Sequence, residues 1–363
     1  MTGPDADAGL GARPLGKDCV PAWLELLEAV ERADRAGEHI GAEELHEALS
    51  DPKLDLEHDT LGLWDGPRLV AYAVVYTPYG ALDVARFQGA AAVRPEWRRR
   101  GVGSRLVTWM EDRAAALHAA HPKLSALPGE LLLDGQAKDE GLRHLAERSG
   151  YTPCRWWFEM KHPLTGDAPP ARPAPEGTRP VPFDATYDEA TRLAHNDAFR
   201  DHWNFTPFDR TDWNTWVTGP ASFRPAMSRL LVTDSGGPGD AAAGGEAGGQ
   251  VPGGEVVAYL LAEESDAETA ATGRRDCHVG YLGTRRAHRG RGAAPALLTE
   301  LLRAARESGY DTASLTVDTA NPSGALGFYE GAGFVVSRES VTYARPLRTA
   351  RASRPAGTDG IVT

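Results

Sequence analysis

The chain is 363 residues long, with 41% apolar and 25% charged side chains, more than one typical core needs and enough for two globular domains. Its 39 Lys and Arg against 51 Asp and Glu leave a net charge of −12. That balance excludes the basic excess of an ordinary nucleic-acid or anionic-membrane binder.

Cys19, Cys154 and Cys277 are scattered and form no CxxC pair, which argues against a disulfide framework or a zinc site and for a reducing compartment. No window approaches the ~20 apolar residues of a membrane span. The stretch Met1–Lys17 has no apolar signal core, so a cytoplasmic protein is expected.

In chain order, residues 1–17 read as a disordered tail. A first domain is expected over 18–162. Helical spacing begins at Trp23, Leu24, Leu27 and Val30, and a short helix follows over Ala42–Leu49. Strands are predicted at Thr60–Trp64, Arg68–Tyr76 and Ala85–Val93, the first two joined by the turn Asp65-Gly66-Pro67. A helix over Gly101–Ala120, a strand at Glu130–Leu133, a helix over Lys138–Ser149 and a strand at Tyr151–Met160 complete this half.

The proline-rich stretch Pro163–Pro182 reads as a semi-rigid linker. A second domain over 183–345 repeats the order. It has a helix at Tyr187–Phe199, strands at Ser228–Thr233, Glu255–Glu263 and Cys277–Thr284, and a helix over Gly290–Ser308. A strand at Thr312–Val317, a helix over Ser323–Gly331 and a strand at Phe334–Tyr343 close it. The low-complexity segment Ser235–Gly254 is expected to be a flexible loop inside a hairpin, and residues 346–363 a disordered tail. Both halves therefore read β-β-β-α-β-α-β after a helical start, an internal duplication of pattern.

Two motifs sit at equivalent places in the halves. One is Arg98-Arg99-Arg100-Gly101-Val102-Gly103, the other Arg289-Gly290-Arg291-Gly292-Ala293-Ala294. Each follows a strand, the first directly after Val93-Arg94-Pro95-Glu96-Trp97, and opens a helix. Small residues let the backbone approach a ligand closely, and a helix N-terminus adds aligned N–H groups and partial positive charge, which suits a pyrophosphate. The bland alternative is a solvated charged turn. A dinucleotide fingerprint is excluded because Leu106 stands where the third glycine belongs, and no Gly-Lys-Ser/Thr exists for a P-loop.

The second motif is followed by Asn321 and then by Ala325-Leu326-Gly327-Phe328-Tyr329-Glu330 and Gly333-Phe334. With the order of elements, this set resembles the GNAT superfamily of acyl-CoA-dependent N-acyltransferases, over nearly the whole chain and as two tandem copies. The pattern is similar to that of actinobacterial tandem members such as mycothiol synthase. The resemblance implies an α/β (α+β) fold, each domain a mixed, mostly antiparallel sheet flanked by helices. It implies acetyl-CoA as co-substrate, no metal, and a small-molecule primary amine as acceptor.

By that resemblance, Arg289–Ala294 would hold the CoA pyrophosphate, and the backbone of Leu282, Gly283 and Thr284 would pair with the pantetheine arm. Asn321 would lie along the same arm, beside its ordinary role as a helix cap. Tyr329 matches the family's general acid, for which a phenol with an unperturbed pKa of ~10 is protonated at neutral pH; a core aromatic beside Phe328 is the alternative. His278 falls where mycothiol synthase carries a glutamate base, and imidazole suits that work. Glu263 and Glu264 compete for the role, and an exposed strand histidine is the plain alternative. Arg286 in place of a usual proline and the Ser235–Gly254 insertion are further departures from that relative's pattern. The segment His195–Trp203 would wall the acceptor site, although capping and packing explain much of its composition.

In the first half, Val93 and Arg98 to Gly103 make the closer match to the cradle. Counting back from Gly150-Tyr151 aligns Leu145 with Phe328 and Ala146 with Tyr329, and Lys138 or its neighbours take the place of the asparagine. That half is expected to bind acyl-CoA without turning it over, unless Tyr151 or His144 substitutes for the acid. The competing functions are an acyl-CoA-binding regulatory or structural protein, and a protein N-terminus or lysine acetyltransferase.

Overall fold

The computed structural model describes residues 9–166, 169–234, 250–251, 254–320 and 324–348. The first half contains β1 (Gly11–Arg13), α1 (Val20–Asp34), α2 (Ala42–Ala48), α3 (Leu56–Asp59), β2 (Thr60–Asp65), β3 (Arg68–Tyr76), β4 (Ala85–Val93), α4 (Val102–Ala120), β5 (Gly129–Gln136), α5 (Glu140–Arg148) and β6 (Thr152–Pro163). The second contains β7 (Thr178–Pro182), α6 (Asp188–Ala198), α7 (Arg210–Trp213), β8 (Arg229–Thr233), β9 (Gln250–Val251) and β10 (Gly254–Glu263). It continues with α8 (Asp266–Thr272), β11 (Asp276–Thr284), α9 (Ala293–Glu307), β12 (Thr312–Asp318), α10 (Ala325–Gly331) and β13 (Val335–Pro346).

The strands form one continuous sheet in the order β1-β2-β3-β4-β5-β13-β6-β12-β11-β10-β8-β7, with β9 paired to β10. Pairing is antiparallel except at β4/β5 and β11/β12. The two halves exchange their last strands. β13 pairs with β5 of the first half, while β6 pairs with β12 of the second, and β6 and β13 pair with each other at the centre.

Alternation along each strand sends side chains to two faces, and each half has a core on each. In the first half α1 and α2 cover one face through Trp23, Leu26 and Leu45, and α4 covers the other through Leu106 and Met110. In the second, Ala190, Ala194 and Trp213 of α6 and α7 cover one face, and Leu297, Leu301 and Leu302 of α9 the other. The exchange is also an exchange of core. Met160 of β6 is buried in the second half's α9-side core, and Val341 and Tyr343 of β13 are buried in the first half's α4-side core. Each such side chain contributes about 1.5–3 kcal/mol, so the halves stabilise one another.

Three segments differ from the sequence reading. The expected N-terminal tail holds β1, paired with β2 from Gly11/Trp64 to Arg13/Gly62, and the buried Leu15. The expected linker begins inside β6, buries Leu164 and ends in β7, which pairs with β8. The C-terminal stretch starts inside β13, and Leu347 donates its N–H to Gly129 O at 2.8 Å. At β1 and β7 a sheet edge satisfies the backbone groups of a short strand even when few of its side chains are apolar, whereas β6 and β13 run past their apolar pattern because each has a strand partner on both sides. The flanks of the Ser235–Gly254 insertion do form a hairpin, β8 pairing antiparallel with β10. Most of that insertion, residues 1–8, 349–363 and Asn321 lie outside the described residues.

Candidate active site

The site begins where the sheet parts. β11 and β12 pair in parallel from Asp276/Thr312 to Val279/Leu315 and then diverge. Beyond that point β11 stays with β10 (Leu282/Leu260, Gly283/Tyr259, Thr284/Ala258) and β12 stays with β6 (Thr316/Glu159 to Asp318/Trp157). Leu282, Gly283 and Thr284 thus have a strand partner on one edge, and their other edge faces the opening. The first half splits alike, β4 and β5 pairing only from Ala85/Gly129 to Gly89/Leu133. A bulge between Leu261 and Ala262 leaves Gly280 unmatched in β11 and bends the strand there.

At the mouth of each opening stands one of the two cradle motifs. Gly290 (φ 75°) and Gly292 (φ 88°) are left-handed, and so are Arg99 (φ 62°) and Gly101 (φ 89°) at the matching positions. Alternating hands of this kind turn successive N–H groups to one side, the geometry of an anion-binding nest. The first helical bonds run from Ala296 N to Gly292 O and from Arg105 N to Gly101 O. The N–H groups of Ala293 and Ala294, and of Val102, Gly103 and Ser104, are therefore left without intrahelical partners; Pro295 has none to offer. A Cβ built on Gly101, Gly290 or Gly292 meets nothing within 4 Å, so the space above both turns is open. Both loops fit a pyrophosphate.

The leading arginines do not point at that space. Arg98 grips Asp34 at the end of α1 with both terminal nitrogens (2.6 and 2.7 Å). Arg289 bonds Asp201 at 3.0 Å and the Ala198 carbonyl at 2.7 Å. Both arginines thus brace the cradle, tying it to the first helix of its half. Arg100 lies 5.0 Å from the Trp97 ring. Arg99 and Arg291 have no ion-pair or hydrogen-bond partner among the described residues. They remain the free cations of the two loops.

Tyr329 lies half-buried on α10, its ring 5.0 Å from Phe328 and 5.9 Å from Phe334. Burial pushes its phenol up to about 12, so it stays a donor at neutral pH. In the turn after α10, Phe334 N and Ala332 N both reach Tyr329 O, and Gly333 has φ 89°. After α5 the same turn recurs: Tyr151 N and Ser149 N reach Ala146 O, and Gly150 has φ 80°. Ala146 is thus the counterpart of Tyr329, and it is fully buried. His144 is exposed on α5, and the Tyr151 hydroxyl is buried without a hydrogen bond in the core beneath α4. Neither takes the missing phenol's place.

On the other face, Glu263, His278, Ser314 and Lys161 form one row across β10, β11, β12 and β6. His278 Nδ1 lies 2.8 Å from Ser314 Oγ, and Ser314 Oγ donates to Asp276, which also accepts from Thr312. A hydroxyl has one proton, and the carboxylate takes it. Toward His278 the serine therefore accepts, which puts the imidazole proton on Nδ1 and a free lone pair on Nε2. Ser314 and Asp276 went unrecognised in the sequence. Strand alternation places 276 and 278, and likewise 312 and 314, on one face, but only the register joins the two strands.

The two glutamates separate. A Cβ on Gly280 would collide with the Glu263 carboxylate, so the bulged glycine makes room for it; burial raises its pKa and His278 opposes the rise. Glu264 is buried on the opposite face. Burial works against its charge, but hydrogen bonds from Arg275, Tyr310 and Arg224 outweigh it and hold the carboxyl at about 2. A carboxylate so saturated is a structural hub and not a proton acceptor.

The segment His195–Trp203 also divides. His195 is buried, 2.8 Å from the Tyr259 hydroxyl, stacked on Phe199 and Phe208, and burial depresses it to about 3. It is a neutral core histidine. Asn196 closes onto the backbone of Phe208, and Asp197 accepts the Arg286 N–H. Trp203 reaches the first half, 6.0 Å from Trp157. No helix among the described residues is long and apolar enough to cross a membrane, and no group of three His, Cys, Asp or Glu there is arranged to hold a metal.

The acetyltransferase (GNAT) family model matches residues 23–151 and again 193–334. The chain is 30% identical to a mycothiol acetyltransferase of Geodermatophilus obscurus, over 76% of this chain and 87% of that protein. It is 28% identical to one of Streptomyces coelicolor, over 89% and 90%. Among solved structures, a GCN5-related N-acetyltransferase from Sphaerobacter thermophilus superposes with a TM-score of 0.69 at 26% identity, covering 96% of this chain and 98% of that one. A tandem GNAT protein from the clavulanic acid biosynthesis pathway shares the fold (TM-score 0.66, 17% identity, 94% and 99% covered). With two matching regions, each holding a cradle at the mouth of a parting sheet, the chain is a tandem N-acetyltransferase of the GNAT family.

Proposed function

We propose that the second half transfers the acetyl group of acetyl-CoA to the primary amine of a small molecule by direct attack, while the first half does not react. The observation that carries this is the asymmetry of equivalent positions. Where the second half has Tyr329 and His278, the first has the buried Ala146 and Gln88, Gln88 pairing with Tyr76 as His278 pairs with Glu263.

Acetyl-CoA supplies the activated thioester. Ala293 and Ala294 would offer N–H groups to its pyrophosphate, with Arg291 as a free cation beside them, and the open edge of Leu282–Thr284 would pair with its arm. The neutral amine nitrogen bonds to the thioester carbonyl carbon as the C–S bond breaks. The amine proton passes to His278 Nε2, and the Tyr329 hydroxyl gives its proton to the departing sulfur. Asp276 and Ser314 hold the imidazole in the accepting tautomer. The imidazolium that forms faces the neighbouring Glu263.

The likeness to mycothiol acetyltransferases supports a small-molecule acceptor. A thiol-release assay with acetyl-CoA across small primary amines and short peptides tests the reading. Turnover with small amines and none with peptides is expected. Turnover confined to peptide N-termini or lysines would favour protein acetylation instead.

A further inference from the structure

A cavity of about 260 Å³ opens not at the second half's site but on the first half, on the face of β4 and β5 that carries Gln88. Gln88, Asp134 and Thr342 line its floor, and Trp157, Trp203 and Asn204 its walls. Both halves build it. Gln88 and Asp134 belong to β4 and β5, Trp157 to β6, Thr342 to the exchanged β13, and Trp203 and Asn204 to the loop after α6.

The floor is organised around one carboxylate. Asp134 accepts from the Thr342 hydroxyl and, at 2.9 Å, from the Gln88 amide. Thr342 in turn accepts the Trp157 indole N–H at 2.9 Å. All of these donors are neutral, and no described lysine or arginine pairs with Asp134. The arginines nearby are engaged elsewhere: Arg86 with Glu130 and Asp83, Arg155 with Asp318. Both lie over the Trp203 ring, at 5.3 and 5.2 Å, and so fix that wall in place. The Asp134 side chain is open to solvent through the cavity, and partial desolvation raises its carboxyl against its two hydrogen bonds.

A carboxylate without a cation, two indole walls and free amide capacity on Asn204 and Gln88 have one complementary chemistry. It is a small primary ammonium bearing a hydroxyl, its charge on Asp134, its carbons against the Trp157 ring and its hydroxyl on an amide. The volume, below the ~300 Å³ of ordinary drug-sized pockets, sets the size. We infer that this first-half cavity is a second ligand site, which binds small hydroxylated primary ammonium compounds and does not acetylate them. It has no phenol, since Ala146 stands in that place, and no imidazole, since Gln88 does. The inference holds whichever residue serves as base in the second half.

Ethanolamine and its uncharged analogue ethylene glycol are the probes, titrated into the full chain and followed by tryptophan emission, which Trp157 and Trp203 report. Ethanolamine is expected to give a saturable change that persists in Tyr329→Phe and in His278→Ala, which places the signal outside the second half. Asp134→Asn keeps the side-chain shape and, with the Gln88 amide turned to accept from the new NH2, should melt with the wild type, yet bind ethanolamine at least about tenfold more weakly, the loss of one charge-assisted contact. Ethylene glycol should give no saturable change. Asp134→Asn binding as tightly as wild type, ethylene glycol binding as well as ethanolamine, or no saturable response to ethanolamine would each overturn the inference.

Discussion

Replacing Tyr329 by Phe removes one hydroxyl and little else. The ring contacts with Phe328 and Phe334, at 5.0 and 5.9 Å, survive the change. The hydroxyl has no hydrogen-bond partner among the described residues, so its removal breaks no hydrogen bond and stability should change by less than about 0.5 kcal/mol. Catalysis should change far more. A positioned general acid contributes about 10²–10⁴ in rate, or ~2.7–5.4 kcal/mol at 1.36 kcal/mol per tenfold. Because burial pushes the phenol up to about 12, it is in its donor form throughout the neutral range, and no falling limb from it should appear below about pH 11. The assay is thiol release for kcat, with calorimetry for acetyl-CoA affinity and thermal melting for the fold. The expected result is a kcat at least about a hundredfold lower, with Kd for acetyl-CoA within about twofold. Turnover within about threefold of wild type would refute the acid role, and an equal loss of binding would move Tyr329 from chemistry to acetyl-CoA positioning.

Other predictions follow from the same geometry. Ser314→Ala and Asp276→Asn each free the His278 ring and should lower kcat about tenfold with little change in KM for acetyl-CoA, read from steady-state kinetics. His278→Ala should lower kcat at least about a hundredfold and Glu263→Gln should leave it within about threefold of wild type; the opposite outcome would make Glu263 the base. Glu264→Gln breaks the hub of Arg275, Arg224 and Tyr310 and should cost about 2 kcal/mol in urea unfolding, less than a fully buried pair because both arginines are partly solvated. It should leave the pH profile of activity in place. His195 is held near 3 in the folded state against 6.5 unfolded. The unfolded chain therefore binds more protons between these values, and stability falls as pH drops through that window. From pH 7 to pH 5 this residue should account for about 2 kcal/mol of lost stability, a slope that His195→Phe removes.

Much of the fold was legible because its strands are apolar runs bounded by turns. β3, a continuous apolar run buried on both faces, and β4, which alternates, cover the residues read from the sequence, 68–76 and 85–93. β1 and β7 were hidden among glycine and proline, since an edge strand is held by its neighbour's backbone and not by its own apolar pattern. The exchange of β6 and β13 leaves no local trace. Either strand could lie beside β5 or β12 with the same faces buried, and the choice is made by the three-dimensional connection. In the site, the contrast of Tyr329 with Ala146 was legible from the distance back to Gly333 and Gly150. The bonds of Arg98 to Asp34 and of Arg289 to Asp201 were not legible, because a motif displays a charge without its direction. The Asp276–Ser314–His278 chain depended on the register between strands far apart in sequence.

The exchanged strands also bear on how the halves stand alone. Residues 1–166 lack β13, and with it the burial of Val341 and Tyr343. The isolated first half is expected to unfold without a cooperative transition, and to regain one when the second half is added in trans. A sharp transition for the first half alone would contradict the mutual stabilisation described above.

The central claim is that one half reacts. The direct test places an acidic residue at the second helical position of each cradle in turn, Ala294→Asp and Gly103→Asp, where it suits the helix terminus but repels pyrophosphate. Thiol release from acetyl-CoA with an accepted amine is then measured for both. The account predicts loss of turnover in Ala294→Asp and near wild-type turnover in Gly103→Asp. Turnover lost with Gly103→Asp and kept with Ala294→Asp would contradict it.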